Sequence, residues 1–159
     1  MVEIVPAEEN IKDLITLVKE YTDAIRGQDA SVAGTLSSQN LDDELAHADK
    51  KYGPPGGRMY LLRVDGSTAG CVALTRSDDD YCEIKRLYVR PEYRGRGFSR
   101  LLCSRVIEDA RKIGYKYMRL DTFPFMKGAV HLYEKLGFRR IAKYNANPAP
   151  DAIFMQLEL

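Results

Sequence analysis

The chain has 159 residues, of which 45% are hydrophobic and 30% are charged, and its net charge at pH 7 is +1. This composition is typical of a globular protein, and we expect a single domain over residues 1–159. A net charge so close to zero argues against a nucleic-acid partner. The N-terminus lacks a basic region and no apolar run is long enough to span a membrane, so we expect a cytoplasmic protein without a membrane partner.

The N-terminal half predicts one strand and two helices, followed by a turn. Residues 2–5 form a strand candidate, and apolar residues at helical spacing indicate an amphipathic helix from about residue 8 to about residue 25. Residues 27–39 are small and polar and predict a loop, and residues 41–48 indicate a second, weaker helix. Residues 52–57 hold two prolines and three glycines, which excludes a helix or a central strand.

The middle of the chain predicts three antiparallel strands in a meander. Residues 59–64 and 69–75 flank an Asp-Gly dipeptide, which is typical of a two-residue hairpin turn. Residues 81–89 form the third strand after a short polar turn. Pro91 ends that strand, because proline cannot donate a hydrogen bond to a β-ladder.

The second half of the chain alternates helices with strands. Residues 98–113 carry apolar side chains on one helical face, and Gly114 is a natural end for this helix. The next strand should lie parallel to the strand before the helix, because a helical crossover joins them. The remaining predicted elements are a strand over 117–121, a helix over 129–136, a strand over 138–144, a Pro-rich loop over 145–151 and a strand over 153–159. Together these elements predict an α+β fold with one mixed sheet and helices on its faces.

Cysteine and histidine spacing gives no sign of a metal site. Cys71, Cys82 and Cys103 have no Cys-x-x-Cys spacing, and we expect them to be reduced, buried thiols. His47 and His131 have no cysteine or carboxylate partner at the spacing that metal ligands require. We therefore expect chemistry without a bound metal.

A glycine-rich turn lies between the third strand of the meander and the helix that follows. It reads Arg94-Gly95-Arg96-Gly97-Phe98-Ser99. The first N–H groups of a helix lack partners inside the helix and carry the positive end of its dipole, so this turn predicts an anion site suited to pyrophosphate. The Gly-Lys-Ser/Thr of a P-loop is absent, and Arg100 stands where a dinucleotide fingerprint needs its third glycine.

Two segments resemble the GNAT superfamily of N-acetyltransferases. Leu87-Tyr88-Val89-Arg90-Pro91-Glu92-Tyr93-Arg94-Gly95-Arg96-Gly97 is similar to the acetyl-CoA segment of that family. Leu132-Tyr133-Glu134-Lys135-Leu136-Gly137-Phe138 is similar to its C-terminal motif and stands at the usual separation. The resemblance implies a mostly antiparallel mixed sheet of about six to seven strands, flanked by about four helices and splayed where the cofactor enters.

The resemblance implies acetyl-CoA as the cosubstrate and assigns residues to it. The pyrophosphate would lie on backbone N–H groups of the glycine turn, and the pantetheine amides would pair with the preceding strand as an added strand does. That pairing requires the ladder to splay, which a bulge near Arg86 or Leu87 would achieve. The implied cofactor-binding residues are Leu87, Tyr88, Val89, Arg94, Gly95, Arg96, Gly97, Phe98 and Ser99.

The resemblance also implies two proton transfers. The acceptor amine arrives protonated and must lose a proton, whereas the departing thiolate of CoA must gain one. Tyr133 matches the general-acid tyrosine of the family, with simple packing on a helix as the alternative interpretation. Glu83 is the candidate general base, with a salt bridge to Lys85 or Arg86 as the alternative. Met126 departs from the family's pattern, because many members have asparagine at this position.

The leading interpretation is an N-acetyltransferase that moves an acetyl group from acetyl-CoA to a primary amine by direct transfer in a ternary complex. No charged stripe marks a peptide groove, so we expect a small-molecule acceptor, with a peptide or protein amine as the alternative. The acceptor would lie between the N-terminal helices, residues 52–58 and residues 145–151. A catalytically inactive CoA-binding sensor or interaction module is the alternative function. The resemblance also allows a homodimer formed through the strand over 153–159.

Overall fold

The structure, a computed structural model, describes residues 1–28, 47–147 and 149–159. Residues 29–39 of the loop predicted over 27–39, and residues 41–46 of the helix predicted over 41–48, lie outside the described residues. The described strands are β1 (Val2–Pro6), β2 (Arg58–Val64), β3 (Ser67–Arg76), β4 (Tyr81–Val89), β5 (Tyr117–Thr122), β6 (Arg139–Ile141) and β7 (Ile153–Glu158). The described helices are α1 (Ile11–Gln28), α2 (Ala48–Tyr52), α3 (Phe98–Ile113) and α4 (Lys127–Lys135), with 3₁₀ turns at Glu8–Asn10 and Pro91–Tyr93.

The seven described strands form one sheet in the order β1-β2-β3-β4-β5-β7-β6. Neighbouring strands run antiparallel except for β4 and β5, which are parallel. Helix α3 joins these two strands, as a parallel pair requires. The predicted α+β class, the meander and the parallel crossover are therefore confirmed.

Helices cover both faces of the sheet. Leu102 and Val106 of α3 pack on one face in a cluster that includes Leu62, whereas α1 packs on the other face in a cluster that includes Leu61. Leu61 and Leu62 can serve opposite faces because successive side chains of a strand alternate across the sheet. Each fully buried leucine contributes roughly 1.5–3 kcal/mol through removal from water. The three cysteines are free and buried, as predicted.

Strand β4 contains a bulge at the predicted position. The register pairs Cys71 with Tyr88 but Ala73 with Lys85, so β4 has one residue more than β3 over this stretch. Arg86 has a φ angle of 58°, in the left-handed region that side chains other than glycine rarely adopt. The extra residue bends β4 and turns its end away from the regular ladder.

Strands β4 and β5 separate shortly after they meet. Their parallel pairing covers Tyr81 to Glu83 on β4 and Tyr117 to Arg119 on β5. From Ile84 onward, the backbone of β4 faces a gap on the side of β5. The splay that the resemblance implied is therefore present, and the gap opens toward the glycine turn.

Some predicted boundaries were wrong. The strand predicted over 138–144 is only three residues long, and the side chains of Tyr144, Asn145 and Asn147 beyond it bind side chains of β4 and β5. Helix α1 runs to Gln28, beyond the predicted end, and α4 begins at Lys127, before the predicted start. Among the described residues, no helix combines the length and apolar character needed to cross a membrane.

Candidate active site

The glycine turn holds two residues in the left-handed conformation. Gly95 and Gly97 have φ angles of 80° and 79°, and a Cβ added at either position would meet no atom within 4 Å. Glycine is therefore required here for its backbone freedom rather than for space. Helix α3 begins directly after Gly97, with no side-chain hydrogen bond at its N-cap. The first N–H groups of α3 are thus available to an anionic ligand.

A cleft of about 820 Å³ lies along the glycine turn, the end of β4, α1 and α4. Eight of the nine predicted cofactor-binding residues line it: Leu87, Tyr88, Val89, Arg94, Gly95, Gly97, Phe98 and Ser99. The ninth, Arg96, is not part of the lining, and its guanidinium lies 5.6 Å from the centre of the Phe98 ring. The structure thus brings the predicted set together, while the role of each residue in binding stays a prediction.

The charged residues that line this cleft are cations. They are Arg94, Arg100, Lys127 and Lys135, and no carboxylate belongs to the described lining. The Nε of Arg94 donates a hydrogen bond to the carbonyl of Val89 at 2.9 Å, and its guanidinium lies 5.8 Å from the Tyr88 ring centre. These contacts fix one positive charge where the turn meets β4. The cleft is therefore suited to a ligand with several negative charges.

Helix α1 forms the opposite wall of the cleft and is tied to the end of β4. The guanidinium of Arg90 donates two hydrogen bonds to the Glu20 carboxylate, at 3.0 and 2.7 Å, and a third to the Thr68 carbonyl at 2.9 Å. Such a bidentate pair restricts geometry more strongly than a single contact. The next residue of α1, Tyr21, packs with its ring centre 5.8 Å from that of Tyr88. These contacts hold helix α1 in a fixed position relative to the end of β4.

A smaller cavity of about 50 Å³ lies where β4 and β5 separate, and we call it the inner cavity. It shares Tyr21, Ile25, Leu87 and Met126 with the lining of the cleft, so the two spaces are adjacent. The other residues of the inner cavity include Lys85, Arg86, Asp121, Thr122, Tyr133 and Asn147. Ionisable and polar side chains therefore converge beside the inner end of the cleft.

Tyr133 lies on α4 and lines the inner cavity, although its side chain is largely buried. Burial raises the pKa of its hydroxyl well above the usual value, and the nearby Cys103, Tyr21 and Asp121 act in the same direction. The hydroxyl therefore stays protonated across the physiological range. The ring also packs 5.7 Å from that of Phe138, so Tyr133 both fills the core and faces the cavity.

Glu83 lies at the last position where β4 pairs with β5, and it lines neither the cleft nor the inner cavity. Its Oε2 accepts a hydrogen bond from the Tyr144 hydroxyl at 2.9 Å and lies 3.5 Å from the Nζ of Lys85. Burial, followed by the charge of Glu83, raises the pKa of Tyr144 far above its usual value. The salt bridge to Lys85 offered as the alternative interpretation is present, and the role of Glu83 as a base stays a prediction.

Asp121 is a carboxylate that the sequence interpretation missed. Its Oδ2 accepts hydrogen bonds from the side-chain amides of Asn145 and Asn147, at 3.0 and 3.1 Å. The sequence held one signal, because Tyr117, Arg119 and Asp121 are partly exposed and alternate with buried residues along β5. This alternation marks Asp121 as a polar position at the carboxyl end of a strand parallel to the cofactor strand.

Met126, which departs from the family's pattern, precedes α4 and lines both the cleft and the inner cavity. Its sulfur accepts a hydrogen bond from the Thr122 hydroxyl at 3.6 Å. A thioether therefore occupies the junction between the two spaces. In the described ranges, no group of three or more histidine, cysteine, aspartate or glutamate side chains is placed to hold a metal ion.

The sequence also matches a known protein family. Residues 19–138 match the Acetyltransferase (GNAT) family, which is more than half of the chain. An uncharacterized N-acetyltransferase of Schizosaccharomyces pombe is 41% identical over 160 aligned residues, covering 99% of this chain and 94% of that protein. This similarity extends over the cleft, the inner cavity and both termini.

Solved structures share the fold over nearly the whole chain. An acetyltransferase from Streptococcus agalactiae superposes with a TM-score of 0.82 at 22% identity, covering 99% of this chain and 98% of that one. An acetyltransferase from Salmonella typhimurium, solved with acetyl-CoA, has a TM-score of 0.71 at 23% identity and covers 99% of this chain and 94% of that one. At these identities the likeness supports the fold alone.

Proposed function

Because the chain belongs to the GNAT family and is an acetyl-CoA-dependent N-acetyltransferase, we propose that it transfers acetyl directly to a primary amine of a small molecule within a ternary complex. The observation that carries this proposal is the gap between β4 and β5. It places the open backbone of β4 along the cleft and leads to Tyr133 at its inner end. A cofactor arm and an acceptor can therefore meet at one point.

The described residues fit coenzyme A along its length. The glycine turn and the free N–H groups of α3 suit the pyrophosphate, and the cationic lining suits the phosphate groups. The backbone of residues 87–89 offers its hydrogen-bonding groups to the pantetheine amides, in the way that a sheet edge accepts an added strand. Acetyl-CoA supplies the thioester, whose carbonyl carbon is the electrophile. The chain supplies the orientation and the proton transfers.

Tyr133 would donate a proton to the sulfur as the C–S bond breaks. The assignment rests on the position of Tyr133 in the lining of the inner cavity. Burial raises the pKa of its hydroxyl, so the proton is present at neutral pH. The side chain is held by packing against Phe138, so its hydroxyl has a defined position at the cavity. A general acid of this kind contributes about 10²–10⁴-fold to the rate.

Glu83 remains the candidate base that the resemblance supplies. Its side chain does not line the inner cavity and is engaged with Tyr144 and Lys85. This arrangement is compatible with proton removal by relay. Because Glu83 does not line the inner cavity, a variant of Glu83 is a suitable comparison for a variant of Asp121, the carboxylate that does line it.

The size of the inner cavity supports a small acceptor. A space of about 50 Å³ admits an amine and the carbon atoms next to it, whereas a folded protein surface would have to present a protruding side chain. Its walls come from α1, β4, β5 and α4, together with Asn147. We therefore place the acceptor amine in the inner cavity and the remainder of the acceptor toward residues 145–151.

The proposal is tested by thiol release from acetyl-CoA with a panel of amines. The panel holds L-aspartate, phenethylamine, spermidine and a lysine-containing peptide, and N-acetylated product is identified by mass spectrometry. We expect release that depends on at least one of the three small amines. If no amine elicits release while acetyl-CoA still raises the melting temperature, transfer is contradicted and the inactive CoA-binding module is favoured. At a hundredfold excess over its dissociation constant, acetyl-CoA should stabilise the fold by about 2.7 kcal/mol.

A further inference from the structure

The loop between β6 and β7 holds the Asp121 carboxylate in one orientation. The amides of Asn145 and Asn147 both donate to Oδ2, at 3.0 and 3.1 Å. These amides are fixed in turn, because the Oδ1 of Asn145 accepts the N–H of Asn147 at 3.0 Å and the Oδ1 of Asn147 accepts the N–H of Ala149 at 2.9 Å. Asn147 is itself buried. Asp121 is therefore preorganised by two asparagine side chains that are themselves anchored to the loop backbone.

The hydrogen-bond partners of Asp121 are neutral. Within the part of the chain that the structure describes, Asp121 forms no ion pair and its Oδ1 accepts no hydrogen bond. Glu83 differs, because its carboxylate lies 3.5 Å from the Nζ of Lys85. One oxygen of the Asp121 carboxylate is therefore held by two amides, and the other is left for an incoming ligand.

The position of Asp121 connects this carboxylate to the reaction. Asp121 lines the inner cavity together with Tyr133 and lies beside the shared boundary with the cleft. We propose that Asp121 binds the ammonium group of the acceptor through Oδ1 and accepts its proton. This assignment rests on the proposed acetyl transfer and names the carboxylate that prepares the nucleophile. Glu83 then acts as a positioning residue for Tyr144 and Lys85.

The transfer forms one C–N bond, breaks one C–S bond and removes two protons from the nitrogen of the acceptor. The acceptor R–NH3⁺ gives one proton to Asp121 and becomes R–NH2, whose lone pair forms the new C–N bond to the acetyl carbon. The C–S bond breaks, and its electron pair leaves with sulfur, which takes the proton of the Tyr133 hydroxyl. The second proton lost from nitrogen returns to Tyr133. Asp121 then releases its proton to solvent, so each turnover yields an amide, a thiol and one proton.

The other ionisable groups at the inner cavity do not reproduce this role. Tyr21 faces it from α1 and Tyr133 from α4, and burial raises the pKa of Tyr21 to about 12 and that of Tyr133 well above its usual value, so both hydroxyls stay neutral near pH 7. Lys85 and Arg86 face it from β4 and are cations. Asp121 on β5 is thus the one carboxylate among the described residues of the lining.

The experiment compares D121N with the wild type over about pH 6 to 9, using the panel amine with the highest wild-type rate. At neutral pH we expect kcat/KM for the amine to fall about 10²–10⁴-fold, as for loss of a general base. The deficit should shrink about tenfold per pH unit as the neutral amine becomes available from solution, because the amine titrates near 10. The dissociation constant of acetyl-CoA should stay within about twofold. D121E should recover part of the activity.

Control variants distinguish a role of Asp121 in proton transfer from a structural effect of the substitution. The wild-type measurement distinguishes it from a failure of the proposed function. D79N changes an exposed carboxylate in the turn between β3 and β4, outside the lining of both the cleft and the inner cavity, and should leave kcat/KM unchanged. N145A keeps the Asp121 carboxylate but removes one of its two amide partners, and should give a smaller deficit with the same pH trend. The assignment to Asp121 is overturned if the loss of kcat/KM in D121N is the same at every pH. It is also overturned if E83Q, and not D121N, shows a loss of kcat/KM that changes with pH. Absence of transfer in the wild type would instead contradict the proposed function itself.

Discussion

The cofactor cleft and the inner cavity are adjacent, but they are built in different ways. The cleft takes eight predicted binding residues from one stretch of chain, residues 87–99, where the glycine turn and the open end of β4 offer backbone N–H and C=O groups. The inner cavity is assembled from side chains on α1, β4, β5, α4 and the loop before β7. Binding through backbone groups tolerates changes in side chains, whereas proton transfer depends on individual atoms. Substitutions in the two regions should therefore have separable effects.

The largest effect on turnover should come from Tyr133→Phe. Removing the hydroxyl keeps the ring that packs against Phe138 but removes the proton donor, so kcat should fall about 10²–10⁴-fold. The KM for acetyl-CoA should change by less than about twofold, because the cleft is intact. Initial rates at saturating acetyl-CoA check this expectation. A kcat within threefold of the wild type would remove Tyr133 from the chemistry.

The next largest effect should come from Gly97→Asp, and it should appear in cofactor binding. The substitution places a side chain at a φ of 79° and a negative charge beside the pyrophosphate position. We expect the dissociation constant of acetyl-CoA to rise about a hundredfold, equivalent to about 2.7 kcal/mol. Isothermal titration measures it.

Gly66→Asp is the matched control for this change. Gly66 has a φ of 82° in the β2–β3 hairpin, and a Cβ there also meets no atom within 4 Å. It should lose similar folding stability without weakening cofactor binding, because it lies outside the lining of the cleft. Equal weakening in both variants would show that backbone strain, rather than the cleft, explains the result at Gly97.

A smaller effect is expected from Glu83→Gln. Glutamine keeps an oxygen that accepts the hydrogen bond from Tyr144 and loses the ion pair with Lys85. If Glu83 positions these side chains, kcat/KM for the amine should fall by less than about tenfold, with no added pH dependence. Steady-state rates across the pH range measure this. A loss as large as that of D121N would return the base to Glu83.

Alkaline pH should clearly lower folding stability and should have the smallest effect on activity. Burial raises the pKa of Cys71, Cys82 and Cys103 from 9.0 to about 12. The unfolded thiols ionise first, so the unfolded state binds fewer protons and folding stability falls as pH rises from about 9 toward 12. The melting temperature should drop across this window. The same decline in a variant with all three cysteines replaced by alanine would assign it to other groups, such as the buried tyrosines.

The sequence predicted the cleft better than the inner cavity for a physical reason. Local signals act over short distances: the Asp-Gly dipeptide indicates a hairpin, Pro91 ends β4, and the two glycines of the turn indicate left-handed backbone. The GNAT resemblance then supplied the bulge and the splay. All these features lie within one stretch of chain, so their relative positions follow from sequence order.

The inner cavity depends on contacts between residues that are distant in sequence. The amides of Asn145 and Asn147 reach Asp121 across more than 20 residues. The Glu20–Arg90 pair, which fixes α1 over the cleft, spans 70 residues. Periodicity reports which face of a strand is polar but not which loop will cover it. Asp121 was therefore visible as a polar position and not as a site residue.

The most direct test of the separation between the two regions is one initial-rate grid, with acetyl-CoA and the amine varied together. It is measured for the wild type, Gly97→Asp and Asp121→Asn. The account predicts that Gly97→Asp raises the KM for acetyl-CoA while kcat stays within about threefold, and that Asp121→Asn lowers kcat/KM for the amine while the KM for acetyl-CoA is unchanged. If both variants lose cofactor affinity and amine turnover to the same extent, the two regions do not divide binding from chemistry and the account is contradicted.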